Sequence, residues 1–207
     1  NLVKALFGDF IEDRHGDRVG LILFGSRAFL QSPLTFDRKT VRIWLDEARH
    51  NIAGPQTAIG DAIGLAVKRL RQRPSESRVL ILITDGASNS GEIDPMVAAR
   101  LAAAEGVRIY TIGIGADPQR SGVLGMLGVS PGLDLDEPTL SGIADITGGE
   151  YFRARDAQEL QRIEAALDRL EPVEQSPTLG RQVKALYHWP LALALLLSVG
   201  LVSRSLW

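Results

Sequence analysis

Cysteine is absent from the 207-residue sequence, and neither positive nor negative charge is in large excess. Without cysteine the chain has no disulfides, thiol nucleophiles, zinc–thiolate sites or iron–sulfur clusters, although this composition fits both cytosol and periplasm. The formal net charge is −2 and no basic run stands out, so nucleic acid is a poor candidate partner. The three histidines lie far apart, without the spacing of paired metal ligands.

The motifs of several common nucleotide and hydrolase sites are also lacking. No G-x-x-x-x-G-K-[ST] phosphate loop occurs, and TIGIGAD is not followed by the third glycine of a dinucleotide-binding fingerprint. Ser26, in FGSRA, lacks the second glycine of a G-x-S-x-G nucleophile elbow. We therefore predict no catalytic residues, and we expect that the protein is not an enzyme.

Apolar runs of strand length alternate with helical patterns along most of the chain. Arg18–Phe24, Val79–Ile83 and residues 107–115 have the composition of buried strands. Ala58–Leu70 carries a wide apolar stripe at helical spacing. This alternation predicts an α/β fold: a doubly wound, mostly parallel sheet with helices on both faces. Because Val79–Ile83 is continuously aliphatic, we expect this strand to be central.

The strand Val79–Ile83 ends at Thr84-Asp85-Gly86, where a carboxylate follows buried side chains. In doubly wound folds, ligand sites lie outside the carboxyl ends of the strands. Asp85 is therefore a candidate metal ligand, with a plain Asp-Gly turn as the alternative. A second alternative is a nucleotide-binding site in which the Asp at the end of an apolar strand binds magnesium. It is set aside because the sequence lacks the phosphate loop.

Thr57 is the second candidate ligand, at the entry to the helix Ala58–Leu70. It fits an N-cap, and the cap and ligand roles are compatible. A hydroxyl and a carboxylate are hard oxygen ligands, suited to Mg²⁺, Ca²⁺ or Mn²⁺ rather than zinc. Two ligands are too few to hold such an ion.

Other polar residues are assigned structural roles. We interpret Ser88–Ser90 as a solvated polar loop. Asp61 is expected to be a helix-face residue near the site rather than a ligand. The acidic cluster of Asp134, Asp136 and Glu137 is interpreted as a solvated cap before a helix, since it lacks the spacing of a calcium loop.

Five ordered segments spanning roughly Asn1 to Leu170 together resemble a von Willebrand factor type A (VWA) domain. More closely, the chain resembles the bacterial aerotolerance-type, BatA-like membrane proteins. The segments are DRVGLILFGSRAFLQSPLTFD, GPQTAIGDAIGLAVKRL, VLILITDG followed by NSGEIDP, VRIYTIGIG and ITGGEYFRARD.

The resemblance implies a metal-ion-dependent adhesion site (MIDAS) built from three loops. These carry a D-x-S-x-S after the first strand, a Thr in a second loop and an Asp after a later strand. Thr57 matches the second element and Asp85 the third, but no D-x-S-x-S occurs in the sequence. The chain begins just downstream of its expected place, so we expect an N-terminal truncation with the first strand missing. Binding of Mg²⁺, Ca²⁺ or Mn²⁺ is then expected to be weak or absent.

The C-terminal region differs in composition from the rest. Trp189–Val202 is uncharged and almost wholly apolar, and residues 185–207 reach the length of a membrane span, with Tyr187, Trp189 and Trp207 as interface anchors. We predict a VWA domain at 1–171, a linker at 172–184 and a transmembrane helix at 185–207. The resemblance implies a bacterial inner membrane with the VWA domain in the periplasm.

The function implied by the resemblance is protein binding. A membrane-anchored module would recruit protein partners through a divalent ion in an envelope complex, with a MoxR-type AAA ATPase and other VWA proteins as implied partners. An alternative is a Mg²⁺-dependent nucleotide-binding or hydrolytic domain with Asp85 as metal ligand. A third is a metal-free scaffold that binds partners through its surface.

Overall fold

A computed structural model of the chain describes residues 2–48, 53–114, 135–154, 157–171 and 204. Most of the predicted loop 116–136 and the predicted span 185–207 lie outside these residues. The chain divides into two units, Asn1–Glu174 and Gln175–Trp207. The helices and strands of the first unit are α1 Leu2–Asp13, β1 Val19–Phe24, β2 Ala28–Thr35, α2 Arg38–Glu47, α3 Ile59–Leu70, β3 Val79–Thr84, α4 Pro95–Ala104, β4 Arg108–Ile114, α5 Glu137–Thr147, β5 Tyr151–Ala154 and α6 Ala157–Leu170.

Short polar side chains fix where several helices begin. Asp37, Asp94 and Asp136 are the N-caps of α2, α4 and α5, and each carboxylate accepts hydrogen bonds from backbone N–H groups of the first turn. The predicted cap role of Asp136 is thereby confirmed. Helix α5 ends at Gly148, whose φ of 70° is the left-handed conformation that glycine adopts without strain.

The strands form two separate sheets. In one, β3, β4 and β5 are parallel and adjacent in that order, and in the other β1 and β2 are antiparallel. The prediction of a parallel sheet is confirmed. Among the described strands β4 occupies the centre, and β3, which was expected to be central, lies at an edge.

Helices cover both faces of the parallel sheet, as predicted. Leu80 and Leu82 of β3 belong to a core that contains α3, α4 and α5, while Ile81 and Ile83 belong to a second core with α1 and α6. Five aliphatics in a row were therefore a correct sign of helices above and below the strand. The aliphatic run carried no information about which strands lie next to β3 within the sheet. Most of β3 stays half-buried, whereas nearly all of β4 is buried between two strands.

The two sheets share one helical layer. Phe24 of β1 and Leu34 of β2 pack against the same core as Leu80 of β3. No ladder joins β1 to β3 among the described strands, so each keeps an unpaired edge there. In the described part of the chain, no helix is both long and apolar enough to cross a bilayer.

Candidate functional site

Three loops meet at the carboxyl ends of β1 and β3. They are the turn after β1, the segment that enters α3, and the segment between β3 and α4. The backbone N–H of Ala58 donates to the carbonyl of Gly25 (2.8 Å), and the Ser90 hydroxyl donates to the carbonyl of Ser26 (3.2 Å). The carboxyl ends of β1 and β3 therefore lie close together, at the same end of the domain.

Thr57 and Asp85 are brought to this common end. A Cβ built on Gly86 would lie 3.4 Å from the Thr57 Oγ1, so the Thr57 hydroxyl faces the backbone directly after Asp85. Thr57 is half-buried and Asp85 is exposed. The structure thus places the two sequence-predicted residues on neighbouring loops.

Thr57 is not the N-cap of α3. That position belongs to Ala58, which offers no side-chain hydrogen bond. The Thr57 hydroxyl makes no hydrogen bond to any described residue, so the cap interpretation is wrong and this oxygen is available to a ligand.

Asp85 lies at a tight turn that Thr84 closes. The buried Thr84 hydroxyl donates to the Gly86 carbonyl (3.0 Å) and accepts from the Gly86 N–H (3.2 Å). Because Thr84 closes the turn, the Asp85 carboxylate is not needed to stabilise it. Sequence reasoning had not singled out Thr84.

Residues Ser88–Ser90 form a partly exposed polar loop, as interpreted, but they also make hydrogen bonds to other loops that the interpretation did not include. Asn89 is exposed, yet its Oδ1 accepts from the Thr57 N–H (2.8 Å). Its own N–H donates to the Thr57 carbonyl (3.1 Å), and the Ser88 hydroxyl donates to the same carbonyl (3.4 Å). These residues join the Asp85 loop to the Thr57 loop. Such pairings between distant segments leave no signal in sequence periodicity.

Asp61 and Gly60 hold the far end of the Asp85 loop on α3. The Asp61 Oδ1 accepts from the N–H groups of Glu92 (2.9 Å) and Ile93 (3.0 Å), which confirms a structural role. A Cβ built on Gly60 would lie only 1.9 Å from the Ile93 carbonyl oxygen. Gly60 was not predicted, although a glycine inside a helical pattern is a recognised sign of close backbone approach.

Chemically, the site offers two hard oxygen ligands and space beside them. Within the described ranges, no group of three or more His, Cys, Asp or Glu side chains could hold a metal ion. A hydroxyl and a carboxylate suit Mg²⁺, Mn²⁺ or Ca²⁺, which need several further oxygens to complete their coordination. The residues present therefore fit part of a cation site.

A cavity of about 360 Å³ lies at the opposite end of the sheet and does not carry this chemistry. The guanidinium of Arg78, which lines it, donates to the carbonyls of Arg71, Arg73 and Glu105. Those bonds tie the ends of α3 and α4 to the start of β3. We therefore interpret Arg78 as a structural residue and propose no ligand for this cavity.

The end of α6 is fixed at the same pole. The Glu171 carboxylate accepts hydrogen bonds from Arg108 and from the Tyr110 hydroxyl (2.8 Å), and its carbonyl accepts from Arg14. Burial, and then the hydrogen bond to Glu171, raise the pKa of Tyr110. The chain thus leaves α6 at the end of the domain remote from Thr57 and Asp85.

Comparison with known proteins identifies a family. Residues 1–166 match the family model of the von Willebrand factor type A domain. An uncharacterized protein of Borreliella burgdorferi is 29% identical over 92% of this chain and 58% of its own length. The chain spans between 47% and 61% of the length of the curated relatives it matches.

Solved structures resemble the chain over about four fifths of its length. BatB from Bacteroides thetaiotaomicron is 26% identical with a TM-score of 0.65, covering 81% of this chain and 85% of the other. An aerotolerance-related membrane protein from Bacteroides fragilis is 26% identical with a TM-score of 0.64, covering 80% and 85%. Proximal thread matrix protein 1 of the mussel byssus, with a zinc-occupied MIDAS motif, is 25% identical with a TM-score of 0.63, covering 82% and 39%.

Proposed function

Because the chain belongs to the von Willebrand factor type A family, we propose that it is a non-catalytic protein-binding module that recruits partners through a divalent cation held at Thr57 and Asp85. One observation carries the proposal. The Thr57 hydroxyl faces the backbone beside Asp85, and it makes no hydrogen bond to any described residue. If Thr57 capped the helix or Asp85 closed the turn, backbone hydrogen bonds would occupy the hydroxyl and the carboxylate. A metal ligand needs these oxygens without such bonds.

The chemistry of recruitment follows from the ligand set. Thr57 would supply a neutral oxygen and Asp85 a single negative charge, so these two residues alone do not neutralise a divalent cation. A cation with an open coordination position attracts a carboxylate strongly where water is partly excluded, so the expected partner presents an acidic side chain. The zinc-occupied MIDAS motif of the mussel protein supports divalent binding at this place in the fold.

The remaining ligands are proposed to come from a strand between β1 and β3. Both strands have unpaired edges among the described strands, and both end at the candidate site. A strand that runs parallel to both would satisfy these backbone edges and end between Ser26 and Asp85. This is where the family's first strand and its D-x-S-x-S would lie. Without these further ligands the ion is expected to bind weakly.

Membrane attachment is proposed through residues 185–207. The B. fragilis neighbour is described as a membrane protein, which supports this assignment. We place the VWA domain in the periplasm of a bacterial inner membrane, within an envelope complex that includes a MoxR-type AAA ATPase and other VWA proteins.

The experiment that tests this function is capture of acidic partner proteins from envelope extract with and without Mg²⁺. We expect capture that is lost with a chelator and lost in Asp85→Ala. The matched control is Glu92→Ala, which removes an exposed carboxylate of the same loop whose side chain makes no hydrogen bond to any described residue. Capture that is indifferent to chelator and to Asp85 would favour a metal-free scaffold. A rise in melting temperature with Mg²⁺ and ATP would instead favour a nucleotide site.

A further inference from the structure

Asn89 and Thr57 lie on different loops, 32 residues apart, yet two hydrogen bonds join them, one to the Asn89 side chain and one from its backbone. The Thr57 N–H donates to the Asn89 Oδ1 (2.8 Å), and the Asn89 N–H donates to the Thr57 carbonyl (3.1 Å). The Ser88 hydroxyl adds a longer bond to that carbonyl (3.4 Å). Both backbone polar groups of Thr57 are therefore engaged by the Asp85 loop.

This pairing fixes the direction of the Thr57 side chain. On the other side of Thr57, the N–H of Ala58 is bound to the Gly25 carbonyl (2.8 Å), where α3 begins. With the backbone held at both residues, the hydroxyl is the one polar group of Thr57 without a hydrogen bond to any described residue. It faces Gly86, next to Asp85.

Asn89 makes the shortest of the hydrogen bonds that join its loop to the Thr57 loop. The loop is also attached through the Ser90 hydroxyl to the Ser26 carbonyl and, farther along, through the N–H groups of Glu92 and Ile93 to Asp61. Loss of the Asn89 side chain would leave the Thr57 N–H without its acceptor, while the two bonds to the Thr57 carbonyl, from the Asn89 N–H and the Ser88 hydroxyl, would remain. The Thr57 loop would then be held less firmly against the Asp85 loop, and the separation of the two candidate ligand oxygens would vary more.

We propose that Asn89 is a positioning residue that sets the separation of the Thr57 and Asp85 oxygens and so favours a small cation over a large one. The proposal rests on the proposed cation site. Mg²⁺ requires near-ideal geometry at 2.0–2.1 Å, whereas Ca²⁺ accepts 2.3–2.6 Å and irregular coordination. A loosened pair of loops should therefore weaken Mg²⁺ binding more than Ca²⁺ binding. Residues that orient metal ligands typically change affinity by about 10–100-fold.

The test compares Asn89→Ala, Asn89→Asp and a control, Gln56→Ala, by titration with Mg²⁺ alone and Ca²⁺ alone. Gln56 is exposed in the Thr57 loop, and its side chain makes no hydrogen bond to any described residue. Amide hydrogen exchange at Thr57 is measured without metal. The Asp variant keeps an oxygen that accepts from the Thr57 N–H. The Asp variant also adds a negative charge, which would change the affinity for both ions. We therefore judge whether it restores the wild-type behaviour from amide exchange at Thr57 and from the ratio of the Mg²⁺ and Ca²⁺ affinities.

We expect Asn89→Ala to accelerate exchange at Thr57 and to lower the Mg²⁺:Ca²⁺ affinity ratio by about tenfold. Asn89→Asp should restore both, and Gln56→Ala should change neither. Unchanged Thr57 exchange, or an equal loss for both ions, overturns the proposal. If the wild-type chain binds neither ion, the proposed cation site fails and the selectivity role fails with it. Thr57 exchange would then still decide whether Asn89 joins the loops.

Discussion

Gly60→Ala is expected to lower the free energy of unfolding by about 3 kcal/mol, at the upper end of overpacking effects. The new Cβ would lie 1.9 Å from the Ile93 carbonyl oxygen, which is backbone and cannot rotate away. The loop cannot retreat easily, because Asp61 binds the N–H groups of Glu92 and Ile93 and Asp94 caps α4. Any relaxation must displace the segment that carries Asp85, so cation binding should be lost as well.

Gly64→Ala is the matched control, one turn further along the same helix. Its Cβ would meet only the Ile93 Cδ1, at 2.9 Å, which is the far end of a flexible side chain. Alanine is preferred over glycine inside a helix by up to about 1 kcal/mol, so we expect a neutral or stabilising effect. Denaturant unfolding followed by circular dichroism measures both variants. Equal destabilisation by the two substitutions would contradict the close approach of the loop at Gly60.

The pair Leu195→Arg and Leu196→Arg, made together, should move the protein from the membrane to the aqueous fraction. Both residues lie near the middle of the proposed span 185–207. An arginine at the centre of a span costs about 2.5–3.5 kcal/mol on insertion, so two should cost about 5–7 kcal/mol. Carbonate extraction of membranes followed by immunoblotting measures the shift.

The control for this pair adds the same charge elsewhere. Leu101 and Leu170 are exposed leucines of the first unit, and their replacement by arginine should leave membrane association unchanged. Retention of the Leu195→Arg, Leu196→Arg protein in the carbonate-resistant fraction would contradict the proposed span.

The sequence predicted the layers of the fold better than the order of its strands. Alternating apolar runs and helical stripes correctly indicated a parallel sheet covered on both faces. Val79–Ile83 was expected at the centre because all its side chains are aliphatic, and among the described strands it lies at an edge. Such a run reports what lies above and below a strand, whereas neighbours in the plane of the sheet are chosen by backbone hydrogen bonds, which leave little trace in side-chain pattern.

At the site, the candidate ligands were predictable and the residues that position them were not. Asp85 follows a strand and Thr57 precedes a helix, so each is marked by local sequence. Asn89 and Ser88 act on a segment some 30 residues away, and only the folded chain shows it. Thr57 was predicted as a ligand that could also cap α3, because Ser, Thr and Asp before an apolar stripe fit the cap role by composition alone. Only the structure shows that Ala58 takes the position.

The central claim, that Thr57 and Asp85 hold a divalent cation, is tested most directly by Mn²⁺ titration followed by nuclear magnetic resonance. Paramagnetic broadening reports where an ion binds even when binding is weak. The account predicts that amide signals of Thr57 and Gly86 broaden first, that those of Gly106 and Gly148 at the opposite pole persist, and that Asp85→Ala abolishes the effect. Equal broadening in the wild type and in Asp85→Ala, or broadening centred elsewhere, would contradict it.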